Sequence, residues 1–178
     1  MPIAAESDQR LDAPLHEIVC GEHVELPSRG AQAVRIASLL CVRLENYGAA
    51  KRAGIALTEA MFIINPEHNT RRRPDVAFVS AARWPLDRSP PTGDWPLAPD
   101  LAVEVISPND LMESLDDKLP EYFAAGVREV WVVRPKRRLV YVHTSEDDYR
   151  VVREGSMLTT PVLPEFSLPV AELFPWPA

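Results

Sequence analysis

One short run limits the architecture more than any other. Leu101-Ala102-Val103-Glu104-Val105-Ile106 is apolar except at Glu104, with Pro99-Asp100 before it and Ser107-Pro108-Asn109-Asp110 after it. A run of this length between such breakers reads as a strand buried in a sheet. Glu104 is then an anomaly, because a carboxylate is costly to take out of water unless it is paired or binds a metal. A glutamate on an edge strand, facing water, is the plain alternative.

The elements around that run predict a mixed α/β (α+β) architecture. Ala33, Ile36, Ala37, Leu40, Leu44 and Tyr47 recur at three- and four-residue steps and predict a helix over Ala31 to Tyr47, with Gly48 as its C-cap. Ile55 to Ile64 is rich in β-branched and aromatic residues and reads as one strand, followed by a turn over Asn65 to Asn69. Asp75 to Val79 reads as a short strand. Residues 80–100 hold Pro85, Pro90, Pro91, Pro96 and Pro99 with Trp84 and Trp95, the pattern of an ordered flap whose tryptophans pack it. A helix from Leu111 to Ala125, a strand from Val127 to Val133 and a hairpin over Leu139 to His143 and Tyr149 to Val152 follow. Residues 1–14 read as a loose lead-in, and 156–178 as a proline-rich tail wrapped on the surface. At 178 residues, one domain over 1–178 is expected. The order of elements points to a central mixed sheet flanked by helices.

Composition excludes several classes. No glycine-rich phosphate loop is present, which argues against a nucleotide-binding fold. Cys20 and Cys41 are too few for a disulfide framework. The N-terminal stretch has no apolar core of a secretory signal, and no apolar run reaches membrane length, so a cytoplasmic location is expected. The net charge of −7 argues against a general nucleic-acid coat protein. It leaves room for an enzyme with a local basic field, and Arg71-Arg72-Arg73 and Arg134-Pro135-Lys136-Arg137-Arg138 are the clusters that could contact nucleic acid. A solvated surface is the plain alternative for both.

Two further residues join Glu104 as candidates. Asp75 opens its strand directly after Pro74, which presets an extended entry; a turn aspartate is the ordinary alternative. Lys118 shares a helical stripe edge with Leu111, Leu115 and Tyr122, where a lysine snorkelling to water is the ordinary alternative. At a stripe edge, its replacement by alanine is expected to leave stability nearly unchanged. Two carboxylates on adjacent strands can hold Mg²⁺ or Mn²⁺, and a nearby lysine can neutralise charge building on a phosphodiester. None of His16, His23, His68 and His143 shows metal-ligand spacing.

Three segments carry a resemblance: Arg73-Pro74-Asp75-Val76-Ala77-Phe78-Val79, Pro99 to Pro108, and Lys118-Leu119-Pro120-Glu121-Tyr122-Phe123-Ala124-Ala125-Gly126-Val127, continued by Glu129-Val130-Trp131-Val132-Val133-Arg134-Pro135. In this combination and order the chain resembles the bacterial Uma-two family of restriction-endonuclease-like proteins, over about Ile18 to Phe174. That family is assigned to the PD-(D/E)xK nuclease superfamily. The resemblance implies a restriction-endonuclease-like core, Asp75 as first acid and Glu104 as second. The usual lysine position, two residues after the second acid, holds Ile106 here, and the resemblance moves that role to Lys118. A further acid comes from an earlier element in some members; Glu59 or Glu45 could supply it, Glu59 by preference. Members often carry a histidine at the start of the first long helix, where this chain has Gly30-Ala31-Gln32-Ala33.

The resulting expectation is a Mg²⁺- or Mn²⁺-dependent endonuclease acting on DNA, with Asp75, Glu104 and Lys118 catalytic and a homodimer suited by symmetry to double-strand cleavage. The alternatives are a catalytically weak nucleic-acid-binding or regulatory domain on the same fold, and a protein-interaction module presenting the flap.

Overall fold

The structure is a computed structural model and describes residues 14–107 and 112–177. The expected lead-in up to residue 13, the break over 108–110 and the first residue of the expected second helix lie outside the described residues.

Helix α1 spans Ala31–Lys51, because Ala33, Ile36, Ala37, Leu40 and Leu44 form one buried stripe at helical spacing. It runs past the expected end at Tyr47. Gly48 is not the cap but an interior contact. A Cβ there would meet the carbonyl oxygen of Gly54 at 2.4 Å, so glycine lets the helix lie against the strand that follows. The cap is Arg52, in the left-handed region at φ 51°.

Before α1 the chain forms a hairpin, β1 (His16–Val19) and β2 (Glu22–Glu25), that the polar sequence does not announce. After α1 the expected single strand Ile55 to Ile64 divides into β3 (Gly54–Thr58) and β4 (Phe62–Asn65). Glu59, between them, has φ 53°, and this left-handed kink sends the two halves into different sheets. β5 (Thr70–Arg72), β6 (Val76–Ser80) and β7 (Leu101–Val105) follow, then α2 (Met112–Ala124), which keeps Pro120 inside it. β8 (Glu129–Arg134), β9 (Leu139–His143) and β10 (Tyr149–Arg153) come next.

Among the described residues the main sheet has the order β10-β9-β8-β7-β6-β3 and a second sheet the order β2-β1-β5-β4. All neighbours in the main sheet are antiparallel except β7 and β8, which α2 connects and which run parallel. Strand alternation divides the core. Val76, Phe78, Leu101, Val103, Val105, Trp131 and Val133 pack with α1, whereas Ala77, Val79, Ala102, Val130 and Val132 pack with α2 and the flap.

The flap, 80–100, is ordered as expected. Trp84 and Trp95 are both buried and contact each other edge to face. Trp95 exchanges backbone hydrogen bonds with Met61 and Ile63 on either side of the start of β4. The tail departs from expectation. It forms β11 (Met157–Thr159) and β12 (Ser167–Pro169), and buries Leu158, Leu163, Phe166, Leu168, Leu173 and Phe174 in the α1-side core. Prolines there shape turns between apolar anchors instead of loosening the segment.

Candidate active site

Register brings three acids into one row. The pairings Thr58 with Val76 and Val76 with Val103 join β3, β6 and β7. Carried one residue further, they set Glu59 opposite Asp75 and Asp75 opposite Glu104. The backbone agrees: the Glu59 N–H donates to the Asp75 carbonyl at 3.4 Å, and the Val105 N–H donates to Asp75 Oδ2 at 2.6 Å. β7 is a central strand, so the edge-strand reading of Glu104 does not hold; the residue is 6% exposed. Glu104 is in phase with Ala102 and so faces α2.

Helix α2 supplies the partners. Lys118 and Tyr122, one turn apart, both reach Glu104 Oε1, at 3.4 Å from the ammonium and 2.7 Å from the hydroxyl. Lys118 is buried, at 7% exposure, and not at a water-facing stripe edge. Its ammonium also lies 2.9 Å from Glu17 Oε1. Glu17, from β1, accepts in addition from Arg72 Nη1 at 2.8 Å and the Arg73 N–H at 2.9 Å. Arg72 Nε donates to Glu121 on α2 at 2.5 Å. Sequence reasoning missed Glu17, Tyr122 and Arg29. A lone acid beside Ile18 and Val19, and a tyrosine one turn after Lys118, were the available signals for the first two.

Electrostatics sort these groups into roles. Burial works against the Lys118 ammonium, but Glu104 and Glu17 outweigh it and raise the pKa, so the group stays cationic at neutral pH. A protonated ammonium offers positive charge and donors, and no lone pair for a base. Burial and the Glu104 charge push the Tyr122 hydroxyl well above its ordinary range, leaving it a standing donor that orients Glu104. Burial would raise Glu17, and the Lys118 and Arg72 cations overcome it to hold that carboxyl low. Glu59 goes the other way. Burial raises it, with the Glu104 charge adding to the shift and Arg29 and Arg73 only partly opposing it.

Arg29 lies against the acids on the other side. Its Nη1 contacts Asp75 Oδ1, and its Nε is 3.0 Å from Glu59 Oε1. These are ion contacts without hydrogen-bond alignment: Asp75 Oδ1, Glu59 Oε2 and Arg29 Nε are all buried with no hydrogen-bond partner. Glu59 Oε2 is an acceptor that a hard divalent cation would suit in kind, while Asp75 Oδ1 is already taken by Arg29. In position the match is incomplete. Among the described residues no three His, Cys, Asp or Glu side chains converge to hold a metal, and Arg29 supplies the counter-charge.

The arginine cluster corrects an expectation. Arg72 is buried at 5% exposure, and its guanidinium is taken by Glu17 and Glu121, so it is not a surface contact. Arg73 donates to the His16 and Glu59 carbonyls, and Arg71 pairs with Asp94 at 2.6 Å. These residues tie β1, β5 and the flap together beneath the site. Exposed positive charge near the site lies instead at Lys136 and Arg137. With Ile106, Ser107 and the first turn of α1 they line a cleft of about 470 Å³.

A central mixed sheet whose one parallel pair is joined by a helix fits the restriction-endonuclease-like core that the resemblance implied. The comparisons agree. The family model Uma2, described as "Putative restriction endonuclease", matches residues 5–171, and the chain belongs to this family. Among solved structures it is similar to one described as a putative nuclease belonging to DUF820 from Anabaena variabilis ATCC 29413. The TM-score is 0.80 and the identity 19%, with 92% of this chain and 91% of that chain covered. At that identity the likeness concerns the fold. No curated protein matches the chain. Among the described residues no helix is long and apolar enough to cross a membrane.

Proposed function

We propose that the chain is a metal-dependent endonuclease that hydrolyses phosphodiester bonds in DNA, with Asp75 and Glu104 as the residues that would hold Mg²⁺ or Mn²⁺ and Glu59 beside them. The observation that carries this reading is the row Glu59, Asp75, Glu104 across three adjacent strands, with the Lys118 ammonium 3.4 Å from Glu104. When bound at this row, a divalent cation would supply Lewis-acid polarisation of the phosphodiester and would lower the pKa of water. The chain's own groups do the rest. Lys118, held by Glu17 and kept charged, offsets negative charge that grows on the phosphoryl oxygens. Tyr122 fixes the Glu104 carboxylate, and the Val105 N–H fixes Asp75. Lys136 and Arg137, at the mouth of the neighbouring cleft, offer contacts to the substrate backbone. A symmetric dimer would present two such sites to the two strands of a duplex.

One observation favours a second reading, a catalytically weak nucleic-acid-binding or regulatory domain: Arg29 already bridges Asp75 and Glu59. Plasmid nicking separates the two. Wild type should nick supercoiled DNA with Mg²⁺ or Mn²⁺, Glu104→Gln should fall to background, and Lys118→Ala should lose ~10²–10³ in rate. Equal rates for wild type and Glu104→Gln would remove the site from the mechanism.

A further inference from the structure

We infer that Arg29 is a tethered counter-cation of the acid row, and that a divalent cation enters only by displacing it. The inference rests on the metal-binding reading above and goes beyond it, since it assigns a role to a residue outside the catalytic set. Of the acids around the site, Glu17 is neutralised by Lys118 and Arg72, and Glu104 is held by Lys118 and Tyr122. That leaves Asp75 and Glu59. Asp75 is 1% exposed, and besides the Val105 N–H its carboxylate meets only the Arg29 guanidinium among the described contacts. Arg29 in turn is held at 15% side-chain exposure and touches acids from two different strands.

A guanidinium and a metal ion need the same oxygens there, and two cations on one acid pair repel each other. The backbone explains how the arginine can leave. Arg29 stands just outside α1, before the extended Gly30 that flanks the helix, so its side chain can swing without unwinding a turn. Without metal, the bridge sets one positive charge between the two acids and lessens their mutual repulsion. It also lowers the apparent metal affinity by the fraction of molecules in which the arginine is seated.

The test titrates Mn²⁺ by calorimetry into the chelator-stripped full chain, as wild type, Arg29→Gln and Arg29→Gln/Asp75→Asn, with melting curves of each in chelator. Arg29→Gln should bind Mn²⁺ at least about tenfold tighter than wild type, and Asp75→Asn in that background should abolish the gain. In chelator Arg29→Gln should melt about 5 °C or more below wild type, and adding Glu59→Gln should recover part of the loss. Mn²⁺ affinity that is unchanged or weaker in Arg29→Gln overturns the displacement. Absence of Mn²⁺ binding in every protein overturns the metal-binding reading and the displacement together. The melts then still judge the counter-cation: no drop, or no recovery with Glu59→Gln, overturns it. If Arg29→Gln does not fold, Arg29→Lys keeps the charge but loses the two-acid bridge. It should bind Mn²⁺ several-fold tighter than wild type, and equal binding refutes the inference.

Discussion

Replacing Lys118 with methionine keeps most of the side-chain volume and removes the charge from a site that is 7% exposed. Two carboxylates lose a cation at once, Glu17 at 2.9 Å and Glu104 at 3.4 Å. Breaking a buried ion pair from one side costs ~3–5 kcal/mol. Here the remaining partners soften the loss: Glu17 keeps Arg72 Nη1 and the Arg73 N–H, and Glu104 keeps the Tyr122 hydroxyl. A cost of roughly 2–3 kcal/mol follows, at or just below the bottom of that range. For a chain of this size each kcal/mol moves the midpoint by about 2–4 °C, so Lys118→Met should melt roughly 4–12 °C below wild type. Circular dichroism melts in chelator at neutral pH read this directly. Adding Glu17→Gln removes one of the two acids left short of a cation and should recover part of the loss. A Lys118→Met protein that melts within about 1 °C of wild type would refute the electrostatic account of the site. It would also restore the sequence-based expectation of a stripe-edge lysine whose loss stability barely registers.

Three other outcomes are expected. Gly48→Ala should destabilise by ~1–3 kcal/mol in denaturant titration, because its methyl would lie 2.4 Å from the Gly54 carbonyl oxygen; unchanged stability would contradict the close helix–strand contact. The Glu17 carboxyl is held below its usual 4.5 because Lys118 and Arg72 outweigh burial. Its contribution is therefore present above pH 4.5 and lost as pH falls through the lowered value, so the stability gap between wild type and Glu17→Gln should narrow in acid, and a gap independent of pH would count against it. DNA affinity should fall linearly in log–log form with salt, and Lys136→Ala should lower that slope by about one contact; a flat salt response argues against phosphate binding.

The fold class was readable because strong local patterns carried it: the apolar run of β7, the helical stripe of α1 and the breakers between them. Its departures have local physical causes. Gly48 looks like a cap until the helix and β3 are seen in contact. Ile55 to Ile64 looks continuous because nothing in the identity of Glu59 announces a left-handed φ. The tail was misjudged because its prolines outweighed its widely spaced apolar anchors. Asp75, Glu59, Glu104 and Lys118 were legible as types in the right order. Their placement in one row was not, since it depends on pairing register among β3, β6 and β7. Arg29 and Glu17 were invisible for the same reason: each meets its partners across 30 or more residues of chain.

The most direct measurement of the central claim is plasmid nicking by wild type and Asp75→Asn, each with Mn²⁺ and with chelator, on preparations whose melting curves show folded protein. Asp75 is the middle of the acid row and the acid that Arg29 and the Val105 N–H both hold. The account predicts nicking by wild type with metal, none with chelator, and background rates for Asp75→Asn in either condition. Wild-type nicking that survives chelator, or an Asp75→Asn protein that nicks like wild type, would contradict it.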